Sequence, residues 1–574
     1  MADDSQRSKQ TAVETNQTHS AKSRLSVFTL AILNIAAIVS LRGMPAEAEY
    51  GLSAVFYYLL AAVCFLIPVS LVAAELTTGW PQKGGVFRWV GEAFGPRWGF
   101  LAIWLQWIES TIWYPTVLTF AAVSIAFIGP NQSADAALAA NRFYSLFCVL
   151  AVYWIATAIA LRGFQSVARL VKWGTLVGTI LPALLLISLG VAYVLTGRPI
   201  QMDLSPRSFW PDLSNFNNLV LAAGIFLFYS GMELSAVHVK EIDNPRRQYP
   251  LAVLMSAIAT VVIFVCGTLA LGLIIPKSQI NLVQSLLVGF NDFLREFGLN
   301  QFSWLIAAAL AFGVLAQVTA WVTGPSKGLL EVGRAGYLPP WFQRVNKNDV
   351  QRNILLLQAI VVTILSALFV ILPSVQSAYQ VMSQLTIILY LIMYMLMFGA
   401  AIYLRHSEPL VDRAYQIPGG KFGMWLVGGI GFIASLFAFV LSFVPPAQIR
   451  TGNTLVYLLI LVVGAVVFTA IPLIIYAVRK PYWRTLVGSE QFEPFLWQIR
   501  TKAELRGSKI DQAPSRNAQA GTQHAAAAAD PAASRSSQEH ASTQPPTQPP
   551  LIETRGDNAS NNAPDPDSEP PRKR

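Results

Sequence analysis

Apolar runs of ~20 residues recur along this chain, each long enough to cross a ~30 Å hydrocarbon core at ~1.5 Å per residue. Inside hydrocarbon every backbone polar group has to be satisfied within the protein, so a chain built from such runs folds as a bundle of spanning helices. Composition agrees. Of 574 residues 54% are hydrophobic and 13% charged, where soluble chains carry about a quarter of charged residues. Mean hydropathy is +0.48. The chain reads as an all-α polytopic membrane protein in contact with the lipid bilayer.

Twelve transmembrane helices are expected. The first six are Ser26–Met44, Ser53–Thr77, Trp98–Ile128, Tyr144–Leu161, Leu170–Leu195 and Asn218–Val239. The other six are Leu251–Ile275, Phe302–Leu330, Ile354–Leu372, Tyr379–Leu404, Met424–Val444 and Thr454–Val478. With the N-terminus inside, the inner loops hold most of the Lys and Arg, from Lys83 to Lys421. The outer loops hold only Arg142, Arg198, Arg207, Lys277, Arg295 and Arg450. That bias places both termini in the cytoplasm. Two further features are an amphipathic outer segment, Ile280–Phe297, and a Gly-rich inner hairpin, Glu75–Phe100.

The expected organisation is a cytoplasmic tail (1–25), the twelve-helix domain (26–478), a juxtamembrane cytoplasmic segment (479–505) and a disordered C-terminal tail (506–574). The last is Ala/Gln/Ser/Pro-rich and cannot bury a core. No short apolar core with a cleavage site precedes the first span, so no cleaved signal peptide is expected.

Several function classes drop out. The net charge of +10 is spread over short loops, which sets membrane orientation and gives no nucleic-acid surface. Cys64, Cys148 and Cys266 lie in apolar runs and offer no disulfide framework; no metal-ligand spacing is present, and no cofactor is expected. No nucleophile–base constellation points to an enzyme, and no filter-like repeat points to a channel.

The most informative stretch is "VSLRGMPAEAEYGL", Val39 to Leu52. The apolar part of the first span, Val27–Leu41, is about five residues short of a crossing. Arg42-Gly43-Met44-Pro45 follows at once, with Pro45 removing a backbone donor and Gly43 tolerating non-helical dihedrals. The sixth span is interrupted likewise by Tyr229-Ser230-Gly231-Met232-Glu233, a glycine beside a carboxylate at a depth where charge is costly. These two spans open two successive five-helix halves. Interruptions at corresponding places of two halves point to a transporter's binding site. The exposed half-helix N–H groups suit a carboxylate and the unwound carbonyls an ammonium, the two ends of an amino acid. Candidate substrate-binding residues are therefore Ser40, Arg42 and Gly43 at the first break and Tyr229, Gly231 and Glu233 at the second.

In order along the chain, "IPVSLVAAEL", "GGVFRWVGEAFGPRWGF", "SGMELSAVHVKEIDNPRRQYPLAV", "GVLAQVTAWVTGPSKGL" and "YQIPGGKFG" resemble the amino acid–polyamine–organocation (APC) superfamily, and within it the bacterial glutamate/GABA antiporters. The resemblance spans about Ser26–Val478. It implies a LeuT-type fold of inverted five-helix repeats with discontinuous helices 1 and 6, in a bacterial inner membrane, and proton-linked exchange of amino acids. It also implies that Glu233, Tyr390 and Tyr394 lie on the transport path. Lys172 falls where proton-dependent relatives place a lysine that stands in for sodium; equally, it reads as an inner-end snorkelling side chain.

Two positions depart from that pattern. Arg42 stands where those antiporters have a path-lining tyrosine, and Gln317 where they carry a glutamate. The site thus gains a cation and loses an anion. Arg42 either pairs with a substrate carboxylate or forms an internal ion pair with Glu47, Glu49 or Glu109. Glu109, an additional carboxylate on the third span, is a proton-coupling candidate together with Glu233 and Lys172. The family's acid-sensing C-terminal plug is not recognisable here. The expected activity is exchange of an acidic amino acid for a decarboxylated or neutral one. A proton-coupled symporter is the alternative, and an amino acid sensor a distant one; the oligomeric state is not readable.

Overall fold

A computed structural model of the protein describes residues 26–211, 219–234, 244–372, 374–446, 453–484 and 492–501. The expected tails, 1–25 and 506–574, lie outside the described residues, as do residues 235–243 of the sixth expected span. Among the described residues the chain is helical throughout, with no strand.

The first expected span is two helices. α1 (Val27–Ile38) starts on a Ser26 cap, whose Oγ accepts the Thr29 N–H at 3.1 Å. Val39 and Ser40 are extended, a single 3-10 turn covers Leu41–Gly43, and α2 runs over Met44–Ala48. Pro45 does not end the first half, as its position suggested. It sits in the first turn of α2, where its missing donor would have had no partner anyway. The break itself falls at Val39–Ser40.

α3 (Ser53–Gly79) is followed by the amphipathic α4 (Val86–Phe94), which lies within the segment expected as a hairpin, Glu75–Phe100. They lead into α5 (Pro96–Ala126). From Gly99 to Ser124 every residue of α5 is buried, because it packs against α4, a later helix and two long helices of the second half. α5 is enclosed by protein instead of lipid, so it can afford Gln106 and Glu109 in its sequence. α6 (Gln132–Ala140) is a short helix, followed by α7 (Arg142–Leu161) and α8 (Gln165–Leu195).

The sixth expected span begins as α9 (Ala223–Phe228). It opens at Tyr229–Ser230, turns at Gly231 with φ +108°, and resumes as a 3-10 turn over residues 232–234. Only glycine adopts that φ without strain. Next come α10 (Pro245–Ile274), which packs on α1, and α11 (Ser285–Glu296), the expected amphipathic outer segment. α12 (Ser303–Arg334), α13 (Arg352–Ile371), α14 (Val375–Ser407), α15 (Gly420–Leu441) and α16 (Thr454–Ala477) complete the bundle. Nine helices among the described residues are long and apolar enough to cross a membrane. They are α3, α7, α8, α10 and α12–α16; α5 falls outside this set although it has 31 residues.

Small residues set the closest approaches, as in other membrane bundles, where Gly lets helix backbones touch. A Cβ at Gly178 of α8 would stand 2.3 Å from the Cα of Gly313 on α12, and one at Gly174 would stand 2.1 Å from Ala316 Cβ. Near the C-terminal end of α3, Glu75 is buried against two cations. Arg405 Nη1 donates to Oε1 at 2.6 Å and Arg413 Nε lies 3.5 Å from the same oxygen, while the Ile417 N–H donates to Oε2 at 2.8 Å. Part of the juxtamembrane segment, residues 492–501, lies on α4: Arg88 donates to the Pro494 carbonyl at 2.9 Å, and Glu92 accepts the Leu496 N–H at 3.1 Å.

Candidate functional site

Both helix breaks open on one cavity. Its wall takes Ile38, Ser40 and Arg42 from the first break, Leu227, Phe228 and Ser230 from the second, Glu109 and Trp113 from α5, Gln317 and Trp321 from α12, and Tyr390 from α14. Of the residues singled out in the sequence, Ser40, Arg42, Glu109, Gln317 and Tyr390 are brought together here.

Arg42 is 3% exposed. Its Nη1 donates to the Tyr379 hydroxyl at 2.9 Å. The guanidinium lies 5.5 Å from the Trp113 ring centroid and 5.7 Å from that of Tyr379, so aromatic faces hold the cation. Nε has no partner. Among the described residues no carboxylate oxygen lies within 4.0 Å of Arg42, and it forms none of the ion pairs considered from the sequence, with Glu47, Glu49 or Glu109. A buried guanidinium without an anion carries a large desolvation cost that an anionic ligand offsets.

Glu233 and Tyr394 sit directly behind the Tyr390 wall. The Glu233 carboxylate accepts three hydrogen bonds: Tyr390 hydroxyl to Oε1 at 2.6 Å, Gln106 Nε2 to Oε1 at 3.0 Å, and Tyr394 hydroxyl to Oε2 at 2.7 Å. The two tyrosine rings are in contact, tilted by 31° with centroids 4.7 Å apart. The Tyr394 oxygen also accepts the Gly231 N–H at 2.9 Å, which satisfies a donor that the helix break sets free. Glu109, by contrast, has Oε1 without any partner.

The remaining sequence candidates fall elsewhere. Gly43 is buried behind the cavity, with φ −85°, an ordinary value for any residue. What requires glycine there is space, since a Cβ would stand 2.0 Å from the Phe228 ring. Tyr229 points away, its hydroxyl donating to the Tyr58 carbonyl at 3.3 Å. Lys172 is exposed on α8, with its ammonium 5.7 Å from the Trp173 ring, and does not join the cavity.

Sequence reasoning missed Gln106, Trp113 and Tyr379. A signal existed for the first two, since residues 106, 109 and 113 are spaced three and four apart and so share one face of α5. Tyr379 had none, being one of many aromatic residues in apolar spans.

The amino acid permease family matches residues 25–466. An uncharacterized transporter of Legionella pneumophila is 40% identical over 79% of this chain and 96% of its own. A glutamate/gamma-aminobutyrate antiporter of Lactococcus lactis is 32% identical over 79% of this chain and 90% of its own. A probable agmatine/putrescine antiporter of the same organism is 24% identical over 78% of this chain and 94% of its own. With a match of that extent, on a helical bundle whose two broken segments enclose a polar cavity, the chain belongs to the amino acid permease (APC) family: it is a multi-pass membrane transporter of amino acids, and not an enzyme.

Proposed function

We propose that this protein is an antiporter of the glutamate/GABA type, exchanging an acidic amino acid for a decarboxylated or neutral one by alternating access. The observation that carries this reading is Arg42, a buried cation on the cavity wall with no carboxylate oxygen within 4.0 Å among the described residues. A guanidinium so placed offers bidentate hydrogen bonding to a substrate carboxylate. It also disfavours dicationic substrates of the agmatine or putrescine kind, whose charge it repels.

Nine apolar helices, the enclosed α5 and the two interrupted segments add up to twelve crossings, in keeping with a LeuT-type arrangement of inverted repeats. The cationic inner loops favour cytoplasmic termini in a bacterial inner membrane. Ser40, Arg42, Gln317 and Tyr390 would face substrate. Glu233, held by Tyr390, Tyr394 and Gln106, would position the wall and pass protons, and Glu109 would be the second proton-coupling group.

The test is uptake of labelled glutamate into proteoliposomes preloaded with GABA, glutamine, glutamate or nothing, at pH 5.5 and 7.5. Uptake that needs a preloaded partner supports exchange, and the best partner identifies the physiological pair. Uptake into empty vesicles driven by a proton gradient would replace this reading with symport, which the unpartnered Glu109 oxygen would then serve. No glutamate uptake under any condition would sink it.

A further inference from the structure

Arg42, Leu227 and Phe228 also form part of the wall of a second, neighbouring cavity. Its remaining polar lining is Glu47 from α2 and Tyr379, Gln380, Ser383 and Gln384 from α14, and of these Tyr379 already bonds Arg42 while the other three α14 residues are free to face a ligand. Ser383 and Gln384 lie three and four residues beyond Gln380, so these three share one helix face.

Glu47 is fully buried, at 0% exposure, and neither carboxylate oxygen has a hydrogen-bond partner. Ser383 Oγ, Gln384 Oε1 and Gln380 Nε2 are likewise without partners. Four neighbouring polar side chains left unsatisfied along one buried pocket wall is an arrangement that proteins rarely keep without a ligand. The helix opposite is cut back to make room: a Cβ at Gly224 of α9 would stand 3.3 Å from Glu47 Oε1.

We propose that this cavity is a binding subsite for the protonated amino group of the transported amino acid, with Glu47 as its counter-charge. An ammonium brings three donors and no acceptor. It meets the Glu47 carboxylate and the Gln384 carbonyl, with the Ser383 hydroxyl as a further acceptor. The unpartnered Gln380 Nε2 and Arg42 Nε are donors and suit the carboxylate end of the same molecule. A bare metal cation would leave both of them facing positive charge. Arg42, shared by the two cavities, lets one ligand hold its carboxylate on the guanidinium and its amino group against Glu47. This inference rests on the assignment of Arg42 to substrate carboxylate.

The experiment measures affinity of the full chain in lipid nanodiscs for GABA, glutamate and glutarate, the last having carboxylates and no amino group. Glu47→Gln is expected to weaken GABA and glutamate by about tenfold or more, the loss of a charge-assisted hydrogen bond, and to leave glutarate bound as before. Gly224→Ala, which keeps the charge and narrows the cavity beside Oε1, is expected to shift the same two ligands in the same direction. Equal losses for all three ligands in Glu47→Gln would overturn the subsite. So would sodium-dependent thermal stabilisation that Glu47→Gln abolishes while amine binding is kept, since the site would then hold an inorganic cation. Absence of glutarate and glutamate binding in the unmodified protein, or its survival in Arg42→Lys, would instead mark failure of the Arg42 assignment.

Discussion

The Tyr394 hydroxyl donates to Oε2 of Glu233 at 2.7 Å and, through the same oxygen, accepts the N–H of Gly231 at 2.9 Å. One phenol therefore satisfies both the carboxylate and a backbone donor that the helix break sets free. Tyr390 reaches only Oε1, which Gln106 also supplies. Tyr394→Phe is expected to destabilise the fold by about 1–3 kcal/mol, the cost of buried groups losing their partner, and Tyr390→Phe by less. Thermal unfolding of the two variants in detergent checks the order; a larger loss for Tyr390→Phe would contradict it.

If Glu233 takes part in proton movement, Glu233→Gln leaves expression intact and flattens the dependence of transport rate on pH. The amide keeps hydrogen-bonding capacity but cannot change its charge. Initial rates between pH 5 and 8 provide the measurement, and a profile identical to that of the unmodified protein would remove Glu233 from the mechanism.

Arg42→Lys keeps the positive charge and loses the planar fork. Affinity for acidic amino acids should fall by about tenfold to a hundredfold, as expected for hydrogen bonds to a charged group, with a stability change below about 1 kcal/mol. Comparable losses in binding and in thermal stability would indicate a structural role, with Tyr379 and Trp113 as its partners.

Gly43→Ala places a methyl group 2.0 Å from the Phe228 ring. Overpacking of this kind costs about 1–3 kcal/mol. Pairing it with Phe228→Leu, which vacates the space, should recover part of that loss. Strict additivity of the two changes in a double-mutant cycle would show that the ring is not what the methyl meets.

Much of this fold was legible because apolarity over ~20 residues has few other meanings. The nine long apolar helices fall on nine of the twelve expected spans. α5 was legible too, although its polar and aromatic residues reflect enclosure by other helices, which no local pattern reveals. The first break was found a few residues late, since Gly43 and Pro45 looked like its cause. Gly43 is there for the Phe228 ring and Pro45 begins α2, while the unwinding at Val39–Ser40 has no residue that announces it.

At the site, charged residues in apolar runs pointed to Arg42, Glu109 and Glu233. The long-range partners that define their roles, Tyr379, Gln106 and Trp113, could not be read from spacing along the chain. Lys172 was drawn in by resemblance. It lies about 200° around α8 from Gly174, the residue that meets α12, so the close helix contact turns it outward.

That no carboxylate oxygen among the described residues lies within 4.0 Å of Arg42 also has an electrical consequence. A charge carried across the whole membrane exchanges about 2.3 kcal/mol with each 100 mV of potential. The charge of the loaded carrier depends on Arg42, on the ligand and on how many of Glu47, Glu109 and Glu233 hold a proton. Loading a monoanion or a proton therefore changes the work done against the field during the conformational switch, whereas a zwitterion adds no net charge. Exchange of a monoanion for a zwitterion moves one net charge per cycle unless a proton accompanies it. A potassium–valinomycin diffusion potential imposed on loaded vesicles would accordingly count the protons that travel with each amino acid.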